Sequence, residues 1–282
     1  MNKELLENIK KTIVFIGYMQ NQLMDDGKNK AKIKLSGTGF IFQLNKVFFL
    51  ATAKHVIAEV DPKTGKVMKE KPGLFVFNNM KNGSVRFSSI DELKKSYKFF
   101  YHTNDKVDIT IIPFPLNVTD DDVKVFAEDM FVDGGNLYET YDVFFASYQP
   151  GISDLAIDSK IIPIVRKGSI ARMNSNKSLY IDGSAFPGNS GSPVFVMPSP
   201  IRYSSNNNSI SFGDDTIGGK FIGIISQYTP YTEVAISQQT GRPRVIFEEN
   251  TGLSLVWLND YLKEIMQTKE FSDFILSQTS KK

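Results

Sequence analysis

The sequence predicts an all-β protein, and three observations carry that expectation. Short runs of β-branched and aromatic residues recur along most of the chain, turn residues punctuate them, and helical periodicity is confined to three places. No self-similarity at a period of roughly 20–50 residues is visible, which disfavours a solenoid or a propeller.

In chain order, Leu5 and Ile9 mark a short N-terminal helix. Strands are expected over 12–18, 38–43, 47–52, 73–77, 109–114, 141–148, 161–165, 179–181, 193–197, 221–227 and 244–247. One or two helical turns are expected after Ser88 or Ser89 in SSIDELKKSY. A longer helix is expected near the C-terminus, with Asn259 or Asp260 as its cap. Leu258, Leu262, Ile265 and Met266 follow there at helical spacing and form a packing face. The polar stretch 117–129 reads as a crossing between two halves, and 199–219, rich in Ser, Asn and Gly, as an exposed insertion between strands.

A chain of 282 residues can bury a substantial core, as one large or two small domains. Apolar residues at 41% and charged ones at 23% place it among ordinary globular proteins. The formal net charge of +2 comes without a clustered basic excess, so no nucleic-acid partner is expected. Lysines in 28–34 and 63–71 read as solvated loops or edge strands. Cysteine is absent, which removes disulfides, a thiolate nucleophile and cysteine-ligated zinc, and fits a reducing, cytoplasmic setting. The apolar run 12–18 is too short and too late for a secretory signal, and no run approaches the ~20 apolar residues of a membrane span. No membrane, metal or cofactor is expected.

Three segments carry candidate chemistry. In VFFLATAKHVI, six of the eight residues before His55 are apolar, so a buried strand ends at a polar ring. Taken alone, such a histidine is more often structural than a working base. The only other histidine, His102, lies beside turn residues in FYHTNDK and is expected at the surface. Asp108 opens the apolar strand of KVDITIIPF, where its charge is costly to bury without a partner. A strand-start Asp bonded to backbone is the plainer reading of it, and the nearby Asp105 is assigned to the surface. In FPGNSGSPVF, small residues surround Ser190, and Gly188 can take a positive φ and expose its N–H beside that of Ser190. A loop of this kind alone is common.

Together the segments say more. ATAKHV, DITII and GNSGSPVF, in that order and separated by roughly fifty and roughly eighty residues, resemble the three signatures of trypsin-like serine peptidases. GTGFIF before the histidine strand, FIGIISQY after the serine, and ENTGLSLVWLNDYLKEI near the end resemble further parts of bacterial members of that family. The resemblance spans about residues 37–266 and implies two six-stranded antiparallel β-barrels with a short N-terminal and a C-terminal helix. It implies a barrel in 1–118 carrying His55 and Asp108, a crossing in 119–136, a barrel in 137–256 carrying Ser190, and a helix and tail in 257–282.

It further implies a Ser-His-Asp triad of Ser190, His55 and Asp108 that hydrolyses peptide bonds through an acyl-enzyme. The N–H groups of Gly188 and Ser190 would form the oxyanion hole. Ser184 would lie at the base of the primary specificity pocket, with Tyr228 on its wall. Ser226, Gln227 and Tyr228 would bind an extended peptide. No acidic residue stands at 184, so a preference for Arg or Lys is not implied, and a small or medium apolar side chain is expected. Ser192 departs from the family's second glycine, and Asn189 from the acidic residue of secreted digestive members. Asn189 cannot bind a freshly cut N-terminus, so activation by N-terminal cleavage is not expected. The competing reading is a catalytically idle or partner-activated module of the same fold that binds peptides. A third, a β-barrel binding domain, needs the three motifs to line up by chance. A protein or peptide substrate is the expected partner, and any activating partner is unnamed.

Overall fold

Runs such as Val47–Thr52, with two half-buried and four buried side chains, are short, rich in aromatic and β-branched residues, and too apolar for loops. They find their hydrogen-bond partners in neighbouring strands, and the chain is built mainly of such pairs. The computed structural model describes residues 3–23, 29–132, 137–152, 160–199, 201–204, 209–212 and 218–279.

The first half runs α1 (Lys3–Lys10), β1 (Ile13–Leu23), β2 (Asn29–Leu44), β3 (Val47–Thr52), α2 (Lys54–Ile57), β4 (Ala58–Val60), β5 (Val67–Glu70), β6 (Leu74–Asn79), β7 (Val85–Ser89), α3 (Ile90–Ser96), β8 (Phe100–Tyr101) and β9 (Thr110–Pro113). The second half runs β10 (Asp142–Ser147), β11 (Ile164–Met173), β12 (Ser178–Asp182), β13 (Pro193–Val196), β14 (Ile201–Ser204), β15 (Ser209–Phe212), β16 (Phe221–Ile236), β17 (Pro243–Leu258), α4 (Asn259–Met266) and α5 (Lys269–Thr279).

Six strands of the second half close into a barrel in the order β10-β11-β12-β17-β16-β13. The first half forms a seven-stranded sheet ordered β7-β6-β1-β2-β3-β9-β8. Among the described residues its end strands β7 and β8 do not pair, so one closed barrel is found where the sequence suggested two of six strands. The backbone supplies a reason. Ser89 Oγ accepts a hydrogen bond from the Glu92 N–H, so the chain turns into α3 straight after β7, and β8 has only two residues to offer.

Three apolar clusters fill the fold. One lies in the first half around Val14, Ile41, Leu50 and Ile112, and one inside the barrel around Val143, Leu179, Val194 and Ile225. The third joins the halves through rings: Phe40 meets Phe221 at 5.0 Å, Phe126 meets Phe195 at 5.2 Å and Phe15 meets Tyr148 at 5.2 Å. The expected crossing supplies Phe126, whose backbone bonds Ile41 and Gln43. Residues 133–136 of that crossing lie outside the described residues.

Some local expectations change. The helix α4 is capped by Leu258, not by Asn259 or Asp260, because the Asn259 amide is buried and donates to the Phe221 carbonyl at 2.7 Å. A separate helix, α5, follows it. The insertion 199–219 contains the β14–β15 hairpin, with 200, 205–208 and 213–217 outside the described residues.

Candidate active site

β3 runs inward through the first sheet and ends at Thr52, and Ala53, extended at φ −71° and ψ 137°, caps the single turn α2. That turn presents His55 at the end of the buried strand. Asp108 stands just before β9, which pairs with β3 from Thr52 to Phe49, so the ladder itself carries the two side chains to the same edge. His55 Nδ1 lies 2.6 Å from Asp108 Oδ2, and the His55 N–H donates to Asp108 Oδ1 at 2.9 Å. A carboxylate only accepts, so Nδ1 carries the hydrogen that bonds Asp108, and Nε2 is the ring nitrogen left for another partner. The Ser226 hydroxyl donates to Asp108 Oδ2 at 2.6 Å from the other half of the chain.

The Asp108 side chain is 15% exposed and that of His55 35%. Burial pushes the Asp108 carboxyl up, but the imidazole beside it, its hydrogen bonds with His55 and the Ser226 hydroxyl together hold it below the usual carboxylate range. Two lysines brace the same segment. Lys54 is 3% exposed and bonds the Asp105 carbonyl at 2.5 Å, while Lys71 bonds the His55 carbonyl at 2.7 Å. Burial lowers the pKa of both, against the opposing pull of Asp108 on each.

Ser190 lies in the turn between β12 and β13. Gly188 and Gly191 have φ of +94° and +87°, in the left-handed region that favours glycine. A Cβ on Gly191 would collide with the Thr38 carbonyl and Thr52 Oγ1, and one on Gly188 with Leu35. The loop is held from both sides. Asn189, fully buried, accepts from the Phe186 N–H at 2.8 Å and donates to Ser147 Oγ at 3.0 Å and the Tyr148 carbonyl at 2.8 Å. Thr38 donates its N–H to the Ser190 carbonyl at 2.9 Å and its hydroxyl to the Gly188 carbonyl at 2.8 Å. The Arg166 guanidinium lies over the Phe186 ring at 4.8 Å. Ser192 is buried, and its hydroxyl has no partner among the described residues.

The structure thus joins His55, Asp108 and Ser226 directly. Ser190 is on the facing wall, its carbonyl on Thr38 and its neighbour Gly191 against Ala53, two residues before His55. Its hydroxyl makes no hydrogen bond to a described residue, and neither do the N–H groups of Gly188 and Ser190. Ser226 falls at a ladder irregularity between Ile225 and Gln227, so its side chain serves Asp108 while β16 continues to Gln227 and Tyr228. Gln227 is exposed and Tyr228 half-buried, its hydroxyl donating to Glu248. Ser184 is exposed, beside a segment fixed to β17 by Asn250, which donates to the Ala185 carbonyl at 2.7 Å, and by Ser254, which accepts from the Ala185 N–H at 3.1 Å.

Sequence reasoning missed Thr38, Lys71, Asn250 and the side-chain role of Ser226. Thr38, Asn250 and Ser226 had a signal in their places in GTGFIF, ENTGLSLVW and FIGIISQY; Lys71 had none. It also misplaced His102. That side chain is 7% exposed, bonds Glu264 at 2.8 Å and meets the Tyr261 ring at 4.9 Å, because α4 packs over it. Asp105 is exposed, as expected. Among the described residues, no three acidic or histidine side chains cluster as a metal site, and no helix is long and apolar enough to cross a membrane.

No family model matches the chain, and no curated protein matches it. Among solved structures, it is similar to the serine endoprotease from Yersinia pestis, at 15% identity and a TM-score of 0.48. The match covers 96% of this chain and 66% of that one, so this chain spans just under two thirds of its length.

Proposed function

We propose that the chain is a serine endopeptidase that cleaves protein or peptide substrates, with Ser190 as nucleophile, His55 as general base and acid, and Asp108 as the group that orients His55. The observation that carries this reading is the His55–Asp108 pair: a largely buried carboxylate with a depressed pKa accepts a hydrogen bond from Nδ1–H and leaves Nε2 for the cleft. On this reading the first sheet is the partner of the closed barrel in a two-barrel, trypsin-like fold, and the cleft between them holds the chemistry.

Nε2 takes the Ser190 proton as Oγ bonds to the substrate carbonyl carbon, and the carbonyl π-electrons move onto oxygen. The Gly188 and Ser190 N–H groups, which have no other partner among the described residues, then stabilise that oxyanion. One such donor lowers the barrier by ~3–4 kcal/mol. The C–N bond breaks as the imidazolium returns its proton to the leaving amine, and water, deprotonated by His55, hydrolyses the acyl-serine. Loss of the orienting carboxylate lowers kcat by ~10⁴, about 5.5 kcal/mol. The Ser226–Tyr228 edge receives the substrate backbone, and the Ser184 pocket takes a small or medium apolar side chain.

One observation favours the alternative of a partner-activated module: the Ser190 hydroxyl has no hydrogen bond to His55. A fluorophosphonate probe separates the readings. Labelling of the isolated protein that disappears in Ser190→Ala and in His55→Ala supports the peptidase. Folded protein that labels only after a peptide or partner is added supports the activated form. Folded protein that never labels overturns both catalytic readings.

A further inference from the structure

The barrel does not account for the whole of β16 and β17. β12 pairs with β17 only from Leu253 to Trp257, and β13 pairs with β16 only from Phe221 to Ile224. Beyond that, from Pro230 to Ile236 and from Pro243 to Asn250, the two strands pair only with each other among the described residues. The result is a two-stranded arm, exposed along its length, with hydrogen-bonding edges that meet no other strand among the described residues. Isolated ribbons of this kind are marginal in water, and an open edge is a template for another strand. Apolar side chains occupy both faces. Val245 is 50% exposed, Ile246 66% and Phe247 54%, with Val234 opposite Ile246.

The outer edge of β17 reads Arg244-Val-Ile-Phe-Glu248, and its charges have opposite signs at positions equidistant from Ile246. Arg244 has no carboxylate partner among the described residues. Directly opposed residues in an antiparallel pair share a sheet face, so two copies related by a two-fold axis normal to the sheet must pair residues of the same parity. The register centred on Ile246 does so. It sets Ile246 against Ile246 of the second copy, Val245 against its Phe247, and Arg244 against its Glu248. An edge of uniform charge would repel its own copy; over Arg244–Glu248 this one sets opposite charges at the outer rungs and apolar side chains between them. We propose that the chain forms an isologous dimer through the β17 edge of the arm, making a four-stranded sheet β16-β17-β17-β16 with Ile246 on the two-fold axis.

The pairing predicts its own rescue. Sedimentation equilibrium of the full chain should show a dimer, and Arg244→Glu or Glu248→Arg alone should weaken it at least about tenfold by facing like charges. The double variant R244E/E248R restores opposite charges and should return dimerisation close to the original. The chain has no cysteine, so Ile246→Cys introduces a single thiol. Opposed Cα atoms about 4.5–5.5 Å apart lie within disulfide reach, so mild oxidation should cross-link I246C as a dimer. Thr240→Cys, near the arm's tip and far from the axis, should stay uncross-linked. A monomer at ~100 μM, far above the range of stable complexes, overturns the proposal. So does a dimer indifferent to both reversals, one the double variant fails to restore, or equal cross-linking of the two cysteine variants.

Discussion

Asn189 shows how one buried side chain can shape the loop that carries Ser190. Its amide spans the turn, taking the Phe186 N–H on one side and giving both its hydrogens to Ser147 and Tyr148 at the end of β10. A buried amide with three partners loses all three on truncation, and each unpaired group costs ~1–3 kcal/mol. Asn189→Ala should therefore lower stability by a few kcal/mol and slow probe labelling of Ser190, read by urea unfolding and by labelling kinetics on the same sample. Unchanged labelling would mean that Asn189 only holds the fold. Asp108 makes a separate expectation testable by pH. Its carboxyl titrates lower when folded than the unfolded value near 3.9, so it contributes stability above that pH and loses it as the pH falls through the folded value. Stability of the wild type should fall more steeply than that of Asp108→Asn as the urea midpoint is followed from pH 6 down to pH 2. Parallel curves would show that the carboxylate is no better held in the folded chain than outside it. These residues were legible only in part: residue types and order picked out His55, Asp108 and Ser190, whereas the partners of Asn189 depend on where β10 ends.

Strands were easier to read than their partners. The apolar runs beginning near Val47, Ile109 and Pro193 are short, β-branched or aromatic and bounded by turn residues, which favours strands. The arm of β16 and β17 was half-read: 244–247 was read as a strand, whereas its partner Pro230–Ile236 carries Thr232 and Glu233 among its apolar residues and has no core beneath it. The helix α5 was read as tail, since its sequence, KEFSDFILSQT, shows only a weak apolar stripe. Its place comes from tertiary contact: the Phe271 ring lies 5.0 Å from Phe49 and 4.9 Å from Phe100, so a C-terminal helix closes the core of the first half. Large-to-small changes at such fully buried rings cost ~3–5 kcal/mol, so Phe271→Ala should destabilise the protein by that much in urea. A cost below about 1 kcal/mol, the range of surface substitutions, would show that α5 is dispensable packing.

Across the molecule, the site exists only where the halves meet, and Thr38 is the point of contact. On its own side Thr38 accepts from Thr52 Oγ1 at 2.7 Å; across the cleft it bonds Ser190, Gly188 and the Tyr148 N–H. The sequence order of the three signatures could suggest that distant segments converge, but not which residue fastens them, because a buried threonine in a glycine-rich strand has many ordinary uses. Thr38→Val preserves shape and removes the hydroxyl, leaving the Gly188 carbonyl and the Tyr148 N–H unpaired in a buried place. Stability should fall by ~1–3 kcal/mol for a group so stranded. If the hydroxyl also sets the angle of the 188–190 loop, labelling of Ser190 should slow by about tenfold or more, a barrier change near 1.4 kcal/mol, and Thr38→Ser should recover both. Loss of stability with labelling undiminished would separate the two effects. It would mean that the seam between the halves holds the chain together while the loop keeps its reactive shape through Asn189 alone.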